Sequence, residues 1–370
     1  MTRHHVVIIG AGVGGLALAG TLTRHSDCRV TVLERAPELR ARGLGLTIWP
    51  NATAAMRKAG FLEYAEKVSE PISRTTVSTN KGRLLTTVDM AGFAARAGFP
   101  LLCVTRPELL QALADASGVD VRFGAEVVRV TPDGTVELVG GETLRGDVVV
   151  GADGANSTVR DFLRTPQPGD DLTWRTIGWQ GVVPRALHGI EMRLIFGPTG
   201  AAGTLGLPGN RTYWFVQAPN GHTGREPLPD TASWAPVIRE VVAETAPELV
   251  WRDGFQDRPP VAGWGRGRVT LLGDAAHTML PSLGQGACMA IEDAVLLGLK
   301  LSSAEDPVAA LRAYEAARHP RVHKMYLTAR RAARMQRTNP AIRDRVLALV
   351  PRAFGRVITD QGRPIPELVP

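Results

Sequence analysis

The chain has 370 residues, more than one compact core usually holds, and its 44% hydrophobic and 21% charged content is ordinary for a soluble globular protein. The net charge of +7 and a pI near 9.8 raise nucleic acid or an anionic surface as partners, but no zinc-finger, homeodomain or RNA-binding signature accompanies them. No apolar run approaches the roughly 18 residues of a membrane span, and Cys28, Cys103 and Cys288 fit neither a disulfide framework nor a metal-ligand spacing.

The first residues, MTRHHVVIIGAG, run straight into a strand and lack the apolar region and cleavage site of a signal peptide, so a cytoplasmic protein with reduced thiols is expected. His5 to Ile9 reads as a short strand buried on both faces of a parallel sheet. Gly10, Gly12 and Gly15 then form G-x-G-x-x-G, and Leu16 to Leu22 continues at helical spacing. The three glycines allow, in turn, a tight bend, close approach of a pyrophosphate, and close helix–sheet packing. The helix N-terminus offers free N–H groups to phosphate. The next strand, Arg29 to Leu33, ends in Glu34, an acid placed to bind ribose hydroxyls and to repel a 2′-phosphate. This dinucleotide site suits FAD or NAD better than NADP, and the motif alone does not separate the first two.

Further on, residues 71–90 and 173–219 read as strands of alternating, β-branched and aromatic character broken by Gly, Pro and Asn. Tyr213 alternates with Trp214, so one of the pair should face a pocket. Asp147 to Val150 and Val269 to Leu272 are apolar strands, each running into a Gly- and Asp-containing turn. From Gly284 the chain reads as an apolar helix with Ala287, Ile291, Ala294, Val295 and Leu299 on its core face. Much of the positive excess lies between Arg312 and Arg345 and reads as a solvated basic helix face.

Four of these stretches carry a resemblance. Gly273-Asp274-Ala275-Ala276-His277, then Pro281, then Gly284-Gln285-Gly286, then Glu292-Asp293-Ala294, resembles the second FAD signature of the single-component flavoprotein aromatic hydroxylases. That family is para-hydroxybenzoate-hydroxylase-like and includes salicylate and urate hydroxylases and zeaxanthin epoxidase. Gly151-Ala152-Asp153-Gly154 with Ser157, Val159 and Arg160 is similar to its Asp-Gly motif. Arg106 with Leu109, Leu110 and Leu113 is similar to its FAD-reaching arginine, and Tyr314, Glu315, Arg318 and Arg321 to its long C-terminal helix.

The resemblance implies an α/β fold: a Rossmann-like FAD-binding domain (residues 1–70, 100–165 and 265–305) interleaved with a β-sheet substrate domain (71–99 and 166–264), plus a C-terminal helical segment (306–370). It implies FAD held by Gly10, Gly12, Gly15, Glu34, Arg35, Arg42, Gly45, Arg106, Asp153, Asp274, Gly286 and Ala287. Asp274 would accept from the ribityl hydroxyls. Gly284, Gln285 and Gly286 would put a helix N-terminus at the pyrimidine edge of the ring, and Pro281 would stiffen the wall beside it. Arg42, Gly43 and Gly45 lie in a stretch similar to the family's flavin-covering loop, a simple strand–turn being the alternative. His277 reads as a structural hydrogen-bonding residue rather than a general base, and Cys288 as packing. Tyr213, Arg193 and Phe215, with Trp179, Gln180 and Leu205, are candidates for the substrate wall.

The implied activity is hydroxylation or epoxidation of a small aromatic or unsaturated substrate with NADPH or NADH and O2, through a flavin C4a-hydroperoxide. Substrate binding would gate reduction by moving the ring. The alternatives are an FAD-dependent reductase or a halogenase on a similar domain. The halogenase pattern Trp-x-Trp-x-Ile-Pro is absent: residues 211–216 are Arg-Thr-Tyr-Trp-Phe-Val. A nucleic-acid or membrane partner is not expected, nor a metal.

Overall fold

The computed structural model describes residues 4–39, 45–163, 173–197, 200–219, 231–349 and 351–370. A five-stranded parallel sheet forms its first layer, ordered Val269–Leu271, Val148–Gly151, His5–Ile9, Arg29–Leu33, Val121–Arg122. The inner strands are nearly all Val, Ile and Leu because both faces are covered. On one face pack the helix Val13–His25, which follows the first strand, and the helices Arg106–Ser117 and Gly286–Ser303 against it.

Close packing of these helices depends on small residues. A Cβ on Gly14 would come within 2.5 Å of Leu272 and 3.3 Å of Ala290. A Cβ on Gly298 would come within 2.6 Å of Thr21. The glycine motif points to tight packing at Gly15 alone, so these two contacts are additions to what it implies.

The second layer is a seven-stranded sheet, ordered Trp251–Asp257, Thr173–Val183, Arg211–Pro219, Ala201–Leu207, Met192–Phe196, Arg74–Thr79, Leu84–Asp89. All its pairs are antiparallel except Met192–Phe196 with Arg74–Thr79. Its two faces serve different cores. Tyr213, Phe215, Leu205 and Leu207 join the main core, whereas Trp179, Trp214, Val216 and Ile195 pack with Ile238, Val241 and Val242 of the helix Pro236–Glu244.

After residue 303 the chain is helical: Pro307–Gln336, Pro340–Leu349 and Pro351–Gln361. The first of these is not simply the solvated basic face expected from its sequence. Arg318 is fully buried, as are Tyr314 and Glu315 on the same side. Charge counting misses this because a guanidinium can be buried once carboxylates meet it.

Candidate active site

The turn after the first strand shows what each glycine does. Gly10 has φ +109°, and a Cβ there would lie 2.4 Å from the Ala152 carbonyl oxygen. A Cβ on Gly15 would lie 2.0 Å from the Gly10 carbonyl oxygen. Gly12 is different: its Cβ would meet nothing within 4 Å, and the residue lines an open groove. Gly12 also caps the helix Val13–His25 without a side chain, so nothing on its own side chain covers the first N–H groups. Glu34, Arg35, Arg106, Asp153 and Asn156 line the same groove. The Glu34 carboxylate accepts from the N–H of Ala11 and of Ala36, both at 2.9 Å, and so pins the glycine turn to the second strand while bordering the groove.

Two carboxylates behind this turn behave differently. Asp153 is committed locally: it accepts from the Ser157 hydroxyl at 2.5 Å and from the N–H groups of Thr158 and Val159 at 2.8 and 3.2 Å. Its carboxylate thus holds the start of the helix Thr158–Leu163, and burial pushes it above the usual range against those bonds. The neighbouring Arg160, buried, donates to the carbonyls of Ala155 at 3.0 Å and Ala275 at 3.3 Å, tying this turn to the next one.

Asp274 stands at that next turn. Its side chain has no hydrogen-bond partner among the described residues and is exposed, yet the surrounding protein raises its pKa, with His277 and Arg106 pulling it down.

The turn is held from below by a buried ionic network. Asp293 accepts from the Gly273 N–H at 2.9 Å, from His277 Nε2 at 2.5 Å and from Arg318 Nε at 2.6 Å. Burial would raise Asp293, but His277 and Arg318 outweigh it and hold the group at about 2. Glu292 accepts from Arg318 at 2.6 Å, from Arg321 at 2.5 and 2.7 Å, and from Asn51 at 2.8 Å. Asn51 also donates to Gln285 Oε1 at 3.2 Å, so the network reaches the Gly284-Gln285-Gly286 turn. His277 is therefore a structural residue, as its position in the turn implied. Asn51, in the helix Pro50–Lys58, was not singled out from sequence and has no local mark there.

The turn opens the helix Gly286–Ser303. Pro281–Leu283 is a single 3-10 turn ending in Gly284 at φ +64°. A Cβ on Gly284 would press on Thr47 Oγ1 at 2.9 Å, whereas one on Gly286 would meet nothing. Ala287 is half-buried beside it. Cys288 is buried, its thiol pushed up to about 12 by burial. That is the packing role expected of it.

Opposite these turns is the sheet. Tyr213 takes the inner position and Trp214 the outer one, where it donates to Thr245 at 2.8 Å. Phe215 lies 6.1 Å from Tyr213, ring to ring. The Tyr213 hydroxyl donates to Gln180 Oε1, and Gln180 Nε2 donates to Asp253 at 3.2 Å. Gly45 packs flat on the Tyr213 ring, where a Cβ would come within 2.6 Å. Of the other candidates, Gln180 and Leu205 share this face and Trp179 does not.

Arg193 is a correction. It pairs with Thr204, which pairs with Trp214, so all three point to the outer face. There Arg193 binds Glu191 at 2.6 and 2.8 Å. Strand alternation, not charge, decides its direction. Arg42 and Gly43 lie outside the described residues.

Residues 3–329 match the model of the FAD binding domain family. The chain is 33% identical over 335 residues to the aurachin C monooxygenase/isomerase of Stigmatella aurantiaca, covering 86% of each chain. It is 33% identical over 344 residues to the FAD-dependent urate hydroxylase of Klebsiella pneumoniae, covering 88% of each. The solved structure of Klebsiella pneumoniae HpxO complexed with FAD and uric acid superposes with a TM-score of 0.88 at 29% identity, covering 97% of this chain and 96% of that one.

Proposed function

The chain belongs to the FAD binding domain family of single-component flavoprotein hydroxylases, and we propose that it takes electrons from NADH or NADPH and places one atom of O2 on a small aromatic or unsaturated substrate. The observation that supports this most is what these turns leave open. Gly12 and Gly286 face open space, and Asp274 is an unpartnered carboxylate, among the described residues, between two rigid turns. Such a donor and acceptor set fits a long dinucleotide with a pyrophosphate at one end and sugar-like hydroxyls in the middle.

In this reading the first turn of Val13–His25 takes the pyrophosphate, with Gly10, Gly12 and Gly15 allowing its approach. Glu34 takes the ribose hydroxyls with the lone pairs its two backbone bonds leave free. Asp274 takes the ribityl hydroxyls. Gly284, Gln285 and Gly286 present a helix N-terminus to the pyrimidine edge, where negative charge develops on reduction; such a terminus is worth roughly 0.3–1 kcal/mol when exposed and up to about 2 when partly buried. Pro281 stiffens that wall, and Arg35, Arg106 and Ala287 complete the contacts. Asp153 acts through the turn it caps. FAD supplies the electron transfer and the activation of O2; the protein supplies orientation and a dry site. Tyr213, Phe215 and Phe255 are the apolar surface against which a flat substrate would lie, and they exclude water.

The nicotinamide cofactor binds transiently near the groove, because the sequence holds no second G-x-G-x-x-G between a strand and a helix. The purified protein should be yellow and should release FAD on denaturation. A screen of phenols and N-heterocycles, followed by NADH or NADPH oxidation and scored for oxygenated product, should find coupled turnover. A colourless protein that takes up no added FAD ends this reading.

A further inference from the structure

Given the monooxygenase reading, on which it rests, we infer that Asp253 is the substrate-anchoring acceptor of the sheet wall and that the site takes an aromatic molecule bearing a hydroxyl or N–H donor rather than a carboxylate. Along the inner face of the seven-stranded sheet stand Val182, Leu205, Leu207, Phe215 and Phe255, all apolar. Among the polar side chains on that face, Tyr213, Gln180 and Asp253 form one directed chain. Tyr213 donates to Gln180, and Gln180 donates to Asp253 Oδ2 at 3.2 Å.

The first two members of this chain are closed. Tyr213 is 9% exposed and Gln180 is 4% exposed, and each satisfies the other. Asp253 is the open end. It is exposed, and Gln180 is its only side-chain hydrogen-bond partner among the described residues. Its other carboxylate oxygen accepts from no described side chain, and its register places Asp253 on the sheet face of Gln180 and Phe255. Burial raises the Asp253 carboxyl while Arg106, from the groove side, lowers it. The face that Asp253 shares with Gln180 and Phe255 is opposite to that of Trp179.

A carboxylate is an acceptor only, and a buried donor on a ligand meets it with a charge-assisted bond. A ligand carboxylate in the same place would set two like charges together. The wall therefore selects for a donor and against an acid. Specificity of this kind is steep, because an unmatched buried polar group costs more than a missing methylene.

The experiment uses the FAD-loaded enzyme and three probes with one ring system: 2-naphthol, 2-naphthoate and 2-methoxynaphthalene. Binding is read from the change in the visible spectrum of the bound oxidised flavin. The expected result is 2-naphthol tighter than either other probe by about tenfold or more. Asp253→Asn, nearly isosteric, should bring the naphthol-to-naphthoate ratio down toward one; Asp253→Ser is the second variant should the first not fold. A yellow wild-type enzyme that binds 2-naphthoate as well as 2-naphthol, or binds none of the three, overturns the assignment, as does a variant with an unchanged ratio. Loss of the flavin reading itself would show separately, as protein without FAD.

Discussion

On the helix Gly286–Ser303, Glu292 and Asp293 are fully buried and all four of their oxygens have partners. On the seven-stranded sheet, Asp253 is exposed and bonded only by Gln180 among the described residues. The same functional group thus does opposite work in two regions. In the cofactor half, acids hold turns in place, and what remains open is backbone and Asp274. In the sheet, the open group is a side chain. A site that must hold one fixed cofactor can be built from rigid turns, whereas a site that selects among small molecules needs a free polar group on an otherwise apolar wall.

The largest effect should come from breaking the committed side. Arg318→Met leaves Glu292 with Arg321 as its one cation and Asp293 with only His277 and a backbone N–H. Removing one partner of such a buried pair costs about 3–5 kcal/mol. Urea unfolding of the variant should show that loss, with FAD retained less well because the turn at Gly273 is no longer braced. A variant as stable as wild type would mean the network is not what holds the turn.

The glycines sharpen the comparison, because two of them should fail in different ways. Gly15→Ala drives a methyl onto the Gly10 carbonyl and should destabilise the fold by about 1–3 kcal/mol. Gly12→Ala meets only open space in the protein and should fold normally, yet hold FAD more weakly because the methyl occupies the phosphate's place. Flavin titration beside thermal melting separates the two. Equal behaviour in both assays would show that the groove at Gly12 is not a phosphate site.

Asp274→Ala probes the open side of the cofactor half. Its carboxylate is bonded to nothing among the described residues, so the fold should be unaffected. A bond to a charged acceptor is worth about 1.5–3 kcal/mol, so FAD affinity should drop roughly tenfold to a hundredfold. Full FAD occupancy at limiting cofactor would remove Asp274 from the site.

How much of this was legible in the sequence differs between the same two regions. The cofactor half is written in contiguous stretches. A strand, a glycine turn, a helix and a terminal acid follow one another, and so do Asp274, Pro281 and Gly286. Local geometry is enough to read them. Gly14 and Asn51 carry no such mark, because their partners, Ala290 and Glu292, lie far along the chain. Burial of Arg318 is hidden because a basic run looks solvated unless the facing carboxylates are known. On the sheet the alternation of Tyr213 and Trp214 was readable, but which of them faced inward was not. The Tyr213–Gln180–Asp253 chain joins three strands, and Asp253 had no local mark.

The pH dependence of the committed side follows from Asp293. Its carboxyl is buried, which alone would raise it, but His277 and Arg318 depress it to about 2 from an ordinary value of 3.8. A depressed acid stabilises the folded state above its unfolded pKa and loses that contribution as pH falls through the folded one. Wild type should therefore outlast Asp293→Asn by a constant margin above about pH 5, a margin that shrinks between roughly pH 4 and pH 2. Urea midpoints at several pH values test it; a margin that grows on acidification has the wrong sign.

The smallest effect is expected at Arg193, and it is informative for that reason. As a cation among the β-strands of the seven-stranded sheet it is the obvious partner for an acidic substrate. Register sends it the other way. It shares a face with Thr204 and Trp214, and Glu191 already binds it. Glu191 keeps a second cation, Arg74, so removing Arg193 leaves no lone buried charge. Arg193 is itself partly exposed, so the pair it loses is worth little after solvent screening. Arg193→Ala should then leave flavin content, probe binding and KM within error of wild type. If it instead raised KM for a substrate while leaving kcat alone, the outer face would be the one that meets substrate. The inward assignment of Tyr213, Gln180 and Asp253 would then fail with it.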